Sequence, residues 1–122
     1  MKIKSAPIKY KAFWHKNKQI TPVGTIHFLS DDIKVHDKAW TFGWVSKDCV
    51  LLQWTGFFDH EDVEIYQDDI VDFIDENGVE RAGIAVYHQD RWYLKDGDYL
   101  VPLSEVSWYS TKVKVLGNVN QE

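Results

Sequence analysis

Nine carboxylates between residues 59 and 76 form the densest group of potentially catalytic or metal-binding side chains in the sequence. Paired carboxylates can transfer protons or hold a metal, but they need burial or close like-charge contact to separate their pKa values. A run this dense without Lys or Arg is usually a solvated face. We call residues 59–76 the acidic segment, and its carboxylates are Asp59, Glu61, Asp62, Glu64, Asp68, Asp69, Asp72, Asp75 and Glu76.

The histidines do not have the spacing of a common metal site. His15, His27, His36, His60 and His88 are scattered, and they form no His-x₃-His or similar pair. The acidic segment also lacks the glycine and ligand order of a calcium loop. The sequence therefore predicts no metal and no cofactor. A metal-dependent hydrolase that uses Asp59, His60 and nearby acids remains as an alternative function.

The other common catalytic patterns are absent from the sequence. Cys49 is the only cysteine, so an intrachain disulfide is excluded, and its apolar surroundings predict a buried small hydrophobe rather than a nucleophile. No Gly-x-Ser-x-Gly elbow and no glycine-rich phosphate loop occurs. The sequence therefore predicts a protein that is not an enzyme.

Aromatic residues beside arginine could stack on nucleic acid bases. Trp92 and Tyr93 follow Arg91, and Trp108 and Tyr109 form a second pair. Adjacent residues of a strand point to opposite faces, so only one of each pair can lie in the core. The net charge of −5 repels phosphates and disfavours nucleic acid as a partner. A single-strand binder that uses Trp92 and Arg91 stays open as a second alternative.

The charge layout indicates a protein-interaction module. Residues 1–18 contain six lysines and no acid, in contrast to the acidic segment. Opposite patches can pair head-to-tail between copies, or the acidic segment can present a phosphate-like row of charge to another protein that handles DNA or RNA. The lysine-rich strand can instead simply lie beside the acidic loop within one monomer. The candidate interaction residues are Lys9, Lys11, Asp59, Glu61, Asp62, Asp68, Asp69, Asp72 and Trp92.

Composition predicts a folded chain outside the membrane. The 122 residues are 44% hydrophobic and 15% aromatic, which excludes a disordered chain and favours strands. We find no signal-peptide pattern and no apolar run of about 20 residues, so we expect a cytoplasmic protein.

The order of elements predicts a mainly β fold with at most short helices. Four or five short strands follow residue 68, with an Asn77-Gly78 hairpin and a helical turn at 102–106, and they suggest a small SH3-like barrel or, as the second choice, an OB-like barrel. In the return strand at 79–88, alternation places Ala82, Ile84 and Val86 on one face and Gly83, Ala85 and Tyr87 on the other. Strand-like segments also occur at 9–14, 25–29, 33–36, 41–45 and 50–54. We expect one domain, residues 1–122, in which a β-rich part (1–58) packs on the barrel-like part (59–122).

Four stretches together resemble the YopX-like family of phage and prophage proteins. The central match is residues 51–59 (Leu-Leu-Gln-Trp-Thr-Gly-Phe-Phe-Asp) followed by 64–71 (Glu-Ile-Tyr-Gln-Asp-Asp-Ile-Val). The start at 8–13 (Ile-Lys-Tyr-Lys-Ala-Phe) and the end at 113–119 (Val-Lys-Val-Leu-Gly-Asn-Val) are weaker matches.

The resemblance implies a phage accessory protein in the cytoplasm of a bacterial host cell, and it implies no established activity. Besides a second copy of the chain, the expected partner is a host or phage protein. Two family glycines, one before Asp-Ile-Val and one between the central motifs, are replaced near Asp68 and Asp62. We therefore expect the local turns to differ there.

Overall fold

The structure, a computed structural model, describes residues 9–38, 41–108 and 110–122. Residues Lys2, Lys4, Ile8 and Tyr109, which entered the sequence predictions, lie outside this part of the chain. The chain divides into two compact units, Met1–Gln53 and Trp54–Glu122, which we call the N-terminal unit and the C-terminal unit. The expected boundary, between residues 58 and 59, lies five residues further along. A single domain with one part packed on the other stays a prediction.

The N-terminal unit is an antiparallel sheet. Its strands occur in the spatial order β4-β3-β2-β1-β5, and the second half of β5 continues into the C-terminal unit. The strands are β1 (Tyr10–Trp14), β2 (Gln19–Phe28), β3 (Ile33–Asp37), β4 (Phe42–Trp44) and β5 (Cys49–Phe58).

Alternation along these strands places one set of side chains in a small core. Ala12, Trp14, Val35 and Cys49 are buried there. Burial, and secondarily the charge of Asp48, raises the pKa of the Cys49 thiol to about 11, so the group is a protonated hydrophobe at neutral pH. The predicted burial of Cys49 is confirmed.

The C-terminal unit holds a five-stranded antiparallel sheet with the order β10-β9-β8-β7-β11. A further strand, β6, pairs with the end of β5. The elements are β6 (Glu64–Tyr66), β7 (Asp69–Ile74), β8 (Glu80–His88), β9 (Arg91–Asp96), β10 (Tyr99–Pro102), α1 (Leu103–Val106), β11 (Val113–Asn118) and a 3₁₀ turn (Val119–Gln121). The prediction of a mainly β fold with only short helices is confirmed.

The predicted closed barrel is not found among the described strands. In the five-stranded sheet β10 and β11 are edge strands, and no pairing joins them. The free edge of β11 is instead occupied by residues 59 and 60, whose side chains accept its N–H groups. An SH3-like closure of this sheet is therefore replaced by an open sheet with one covered edge.

The two faces of this sheet follow the alternation seen in the sequence. Gly83 and Ala85 of β8 are buried with Phe73 and Leu94, whereas Ala82 and Ile84 are exposed on the opposite face, as predicted. The core also contains Val106 of α1, so the short helix covers the inner face. The predicted Asn77-Gly78 turn is present, and Gly78 supplies its positive φ of 78°.

A close approach at Gly43 generates the first prediction. A Cβ at this position would lie 2.6 Å from Cζ3 of Trp14 and 2.8 Å from Cβ of Asp48. Trp14 cannot move away freely, because its indole N–H donates to the Thr21 hydroxyl at 2.7 Å. We expect Gly43→Ala to lower the free energy of unfolding by about 1–3 kcal/mol, measured by urea denaturation.

Gly117→Ala is the matched control, since a Cβ there meets nothing within 4 Å. We expect it to change the free energy of unfolding by less than about 0.5 kcal/mol. Equal effects of the two substitutions would contradict the packing at Gly43.

Candidate functional site

Asp59 opens the acidic segment and is buried, with 4% of its surface exposed. Its Oδ1 accepts the backbone N–H groups of Glu61 at 2.8 Å and Val63 at 2.9 Å. Its Oδ2 accepts the N–H of Val115 in β11 at 3.0 Å. Burial alone would raise the pKa of Asp59, but these three donors and the neighbouring His60 outweigh it and lower the pKa. The carboxylate thus shapes its own loop and ties the loop to β11.

His60 extends the same attachment. Its ring Nδ1 accepts the backbone N–H of Val113 at 3.1 Å, and the backbone N–H of His60 donates to the Val113 carbonyl at 2.9 Å. Together Asp59 and His60 satisfy alternate N–H groups on the free edge of β11.

Asp69 performs a similar task at the start of β7. Its Oδ2 accepts the N–H of Tyr66 at 2.7 Å, and its Oδ1 accepts the side-chain amide of Asn118 at 3.0 Å. Asp69 is 8% exposed, so these bonds are made away from water. They join the connection between β6 and β7 to the end of β11.

Asp68 and Asp62 take the conformation that glycine adopts most easily. Asp68 has φ of 67° and Asp62 has φ of 62°. Aspartate tolerates this region better than most residues, and Oδ2 of Asp68 accepts the side-chain amide of Asn120 at 3.1 Å. Aspartate therefore holds a positive φ at both positions, and the expectation that these turns differ from those of the family stays a prediction.

Asp75 was not among the predicted site residues, although it is the most buried carboxylate of the segment at 2% exposure. Its Oδ1 accepts the N–H groups of Asn77 and Val79, and its Oδ2 lies 2.6 Å from Nε of Arg81. Arg81 also bonds Asp96 at 3.2 Å and lies 4.1 Å above the Tyr99 ring. The Arg81 hydrogen bond is the main cause that lowers the pKa of Asp75. The sequence signal for this role of Asp75 was its position two residues before Asn77, where an aspartate side chain accepts a backbone N–H in an Asx turn.

The remaining acids of the segment reach solvent to different extents. Glu61, Asp62 and Glu76 are exposed, while Asp72 is half-buried in β7 opposite Lys114. Lys114 lies 3.9 Å from Glu61, an exposed pair that contributes little to stability. Interpreting the whole segment as a solvated face is therefore wrong for Asp59, Asp69 and Asp75, which are structural acceptors.

The geometry gives no support to the metal-dependent hydrolase. Both oxygens of Asp59 and the Nδ1 atom of His60 already accept hydrogen bonds from the backbone. Within residues 9–38, 41–108 and 110–122, no three His, Cys, Asp or Glu side chains are grouped so that they could hold a metal ion.

The predicted aromatic candidates are only partly available. Trp92 is half-buried against the core of the C-terminal unit and lies 5.1 Å from the exposed Tyr87 ring. Arg91 is engaged with the hydroxyl of Ser104 at 3.2 Å. Trp108 is 76% exposed. Tyr87, expected on the face of Gly83 and Ala85, is exposed and was not among the predicted candidates.

The two lysine candidates lie at the start of the N-terminal unit's sheet. Lys9 is exposed just before β1, and Lys11 is half-buried within β1, opposite Pro22 of β2 and Leu52 of β5. The structure thus places the lysine and aspartate candidates in different units.

The charge separation coincides with the division into units. Residues 1–53 contain nine lysines and four aspartates, whereas residues 54–122 contain five basic and fifteen acidic residues. The N-terminal unit therefore carries a formal net charge of +5 and the C-terminal unit −10. No helix in the described part of the chain is long and apolar enough to cross a membrane.

The bonds of Asp59 generate a stability prediction. We expect Asp59→Ala to lower the free energy of unfolding by about 3 kcal/mol, because buried N–H groups such as that of Val115 lose their acceptor. Glu61→Ala is the control, since its side chain is exposed and makes one long ion pair. Urea denaturation measures both. If both variants lowered the free energy of unfolding by a similarly small amount, Asp59 would not be a structural acceptor.

The lowered pKa values of Asp59 and Asp75 set the direction of a pH dependence. A folded-state pKa below the unfolded value gives stability that is fully present above the ordinary value, about 4, and is lost as the pH falls through the folded pKa. We expect the urea midpoint to fall steeply below pH 4. The Asp59→Asn variant should show a shallower fall, and an unchanged pH profile in that variant would contradict the assignment.

The fold is similar to that of two solved proteins. Protein EF1440 from Enterococcus faecalis superimposes with a TM-score of 0.66 at 18% identity, covering 96% of each chain. Protein yopX from Bacillus subtilis superimposes with a TM-score of 0.65 at 15% identity, covering 93% of this chain and 94% of that one. Identities this low show a shared fold alone.

Comparison with protein families agrees with the structural similarity, whereas comparison with individual curated proteins does not add to it. A search of the curated proteins gives no match. The YopX protein family matches residues 8–122, which is nearly the whole chain and includes both central motifs. The chain belongs to the YopX protein family.

Proposed function

We propose that this protein is a non-catalytic interaction module of a phage or prophage, and that it associates with a second copy of itself. The observation that carries the proposal is the opposite charge of the two units, +5 in residues 1–53 and −10 in residues 54–122. Complementary charge on the same chain favours a head-to-tail contact between copies, which gives a ring when the rotation closes.

An apolar row on the five-stranded sheet supplies the centre of such a contact. The pairing register aligns Ile70, Ile84, Lys95 and Leu100 across β7, β8, β9 and β10. Ile84 is 36% exposed and Leu100 is 45% exposed on this outer face. Val86 and Tyr93 form the adjoining row and are half-buried. Apolar side chains with a charged surround are typical of protein interfaces.

The state of the buried carboxylates supports a role without catalysis. Asp59 and Asp75 accept hydrogen bonds at both oxygens, and their lowered pKa values keep them ionised. A general acid needs the opposite, a raised pKa and a free oxygen aimed at a substrate.

The phage context and a cytoplasmic location are part of the same proposal. Family membership supports the first, because the resemblance is to small phage and prophage proteins. The unpaired, buried thiol of Cys49 suits a reducing compartment and supports the second.

Sedimentation velocity tests the self-association. At 0.1 M salt we expect the average mass to rise above the 14.3 kDa of one chain as concentration increases. At 1 M salt the Debye length falls to about 3 Å, so we expect the monomer. A mass of one chain at every concentration in 0.1 M salt would overturn the self-association.

A pair of variants tests the apolar row. Ile84→Thr with Leu100→Thr keeps the charge and removes apolar surface, and we expect it to weaken association about tenfold. Val79→Thr, at a 50% exposed turn residue of the same unit, is the matched control and should leave association unchanged. Equal weakening by both changes would show that this face is not the contact.

A further inference from the structure

One face of the N-terminal unit's sheet carries four aromatic rings and a lysine side by side. The register pairs β2 with β3 and β3 with β4, so residues of two adjacent cross-strand rows share this face. The opposite face holds Val35 and Ile33, which pack in the core. We call the outer set the aromatic face, and its residues are Thr25, His27, Lys34, His36, Phe42 and Trp44.

Three rings of the aromatic face are in contact with one another. The centroids of His27 and His36 are 5.6 Å apart in an edge-to-face arrangement, and those of His36 and Phe42 are 5.8 Å apart. The ammonium of Lys34 lies 4.7 Å from the Phe42 centroid and 5.9 Å from the Trp44 centroid. The face therefore combines a cluster of three rings with a cation that lies near both Phe42 and Trp44.

The aromatic face is accessible and carries no carboxylate at any of its six positions. Phe42 is 57% exposed, His27 is exposed, and Trp44 is half-buried. The unit around it contains nine lysines against four aspartates. Contact of an aromatic ring with water is unfavourable, and a base stacked on the ring would remove that surface from water.

We propose that the aromatic face binds single-stranded nucleic acid. Bases would stack on Phe42 and its neighbouring rings, while Lys34 and the lysines of the unit would attract the phosphates. A single strand is favoured over a duplex because a duplex keeps the π faces of its bases stacked inside. The site lies in a different unit from the apolar row of the self-association proposal, and it takes a different ligand.

The net charge of the whole chain concealed this site. The value of −5 predicts repulsion of phosphates, but the acidic excess belongs to residues 54–122. At physiological salt the Debye length is about 8 Å, so the charges nearest to the aromatic face contribute most to the field there.

Fluorescence anisotropy with a labelled 15-nucleotide oligothymidylate tests the proposal on the full chain. We expect saturable binding at 50 mM salt and weaker binding of the same length of duplex. Phe42→Ala should weaken single-strand binding about tenfold, because it removes one stacking partner. Lys34→Gln should reduce the slope of the logarithm of the association constant against the logarithm of salt concentration by about 0.7, because one phosphate contact is lost. A purely structural defect would not change this slope.

Phe28→Ala is the matched control. Like Phe42, Phe28 is an exposed phenylalanine, with 76% of its surface accessible. It lies in β2 and pairs with Ile33 on the opposite face of the sheet. We expect unchanged affinity for this variant, and circular dichroism melting verifies that all variants fold. Absence of binding by the unaltered protein at 50 mM salt would overturn the proposal. Equal weakening by Phe28→Ala and Phe42→Ala, or equal affinity for duplex, would also overturn it.

Discussion

The C-terminal unit depends on buried aspartates that accept hydrogen bonds from the backbone. A buried carboxylate is costly unless donors replace its lost water, and a buried N–H is costly without an acceptor. Asp59 and Asp69 resolve both costs at once, because their partners Val115 and Asn118 lie in β11, about fifty residues away. Asp75 organises the β7–β8 hairpin and the ion pair with Arg81 in the same way. The loops of the unit are held to its sheet by these bonds.

This use of the carboxylates limits what chemistry the segment can perform. An oxygen that already accepts two N–H groups, such as Oδ1 of Asp59, has no lone pair directed at a metal or a substrate proton. The same bonds fix the charge state, since they favour the ionised form. The functions proposed for this chain use surfaces instead, an apolar sheet face in the acidic unit and an aromatic sheet face in the basic unit.

We propose different partners for the two surfaces because the two units differ in charge. The outer face of the acidic unit presents aliphatic side chains such as Ile84 and Leu100, which suit a protein interface. The aromatic face of the basic unit presents Phe42 beside Lys34, which suits bases and phosphates. A single net charge for the chain averages these fields and hides both. Surface chemistry in a chain of this kind is best assigned unit by unit.

The sequence by itself determined the β-rich class, the Asn77-Gly78 turn, the two faces of β8 and the burial of Cys49, because each depends on neighbouring residues and on a period of two. It also carried the family motifs at 51–59 and 64–71. Only the tertiary structure decided which acids are buried, since the donors to Asp59 and Asp69 come from a distant strand. The open sheet and the aromatic face were likewise decided by pairing between strands, because register, not local pattern, brings His36 beside Phe42 and leaves β11 covered by residues 59 and 60.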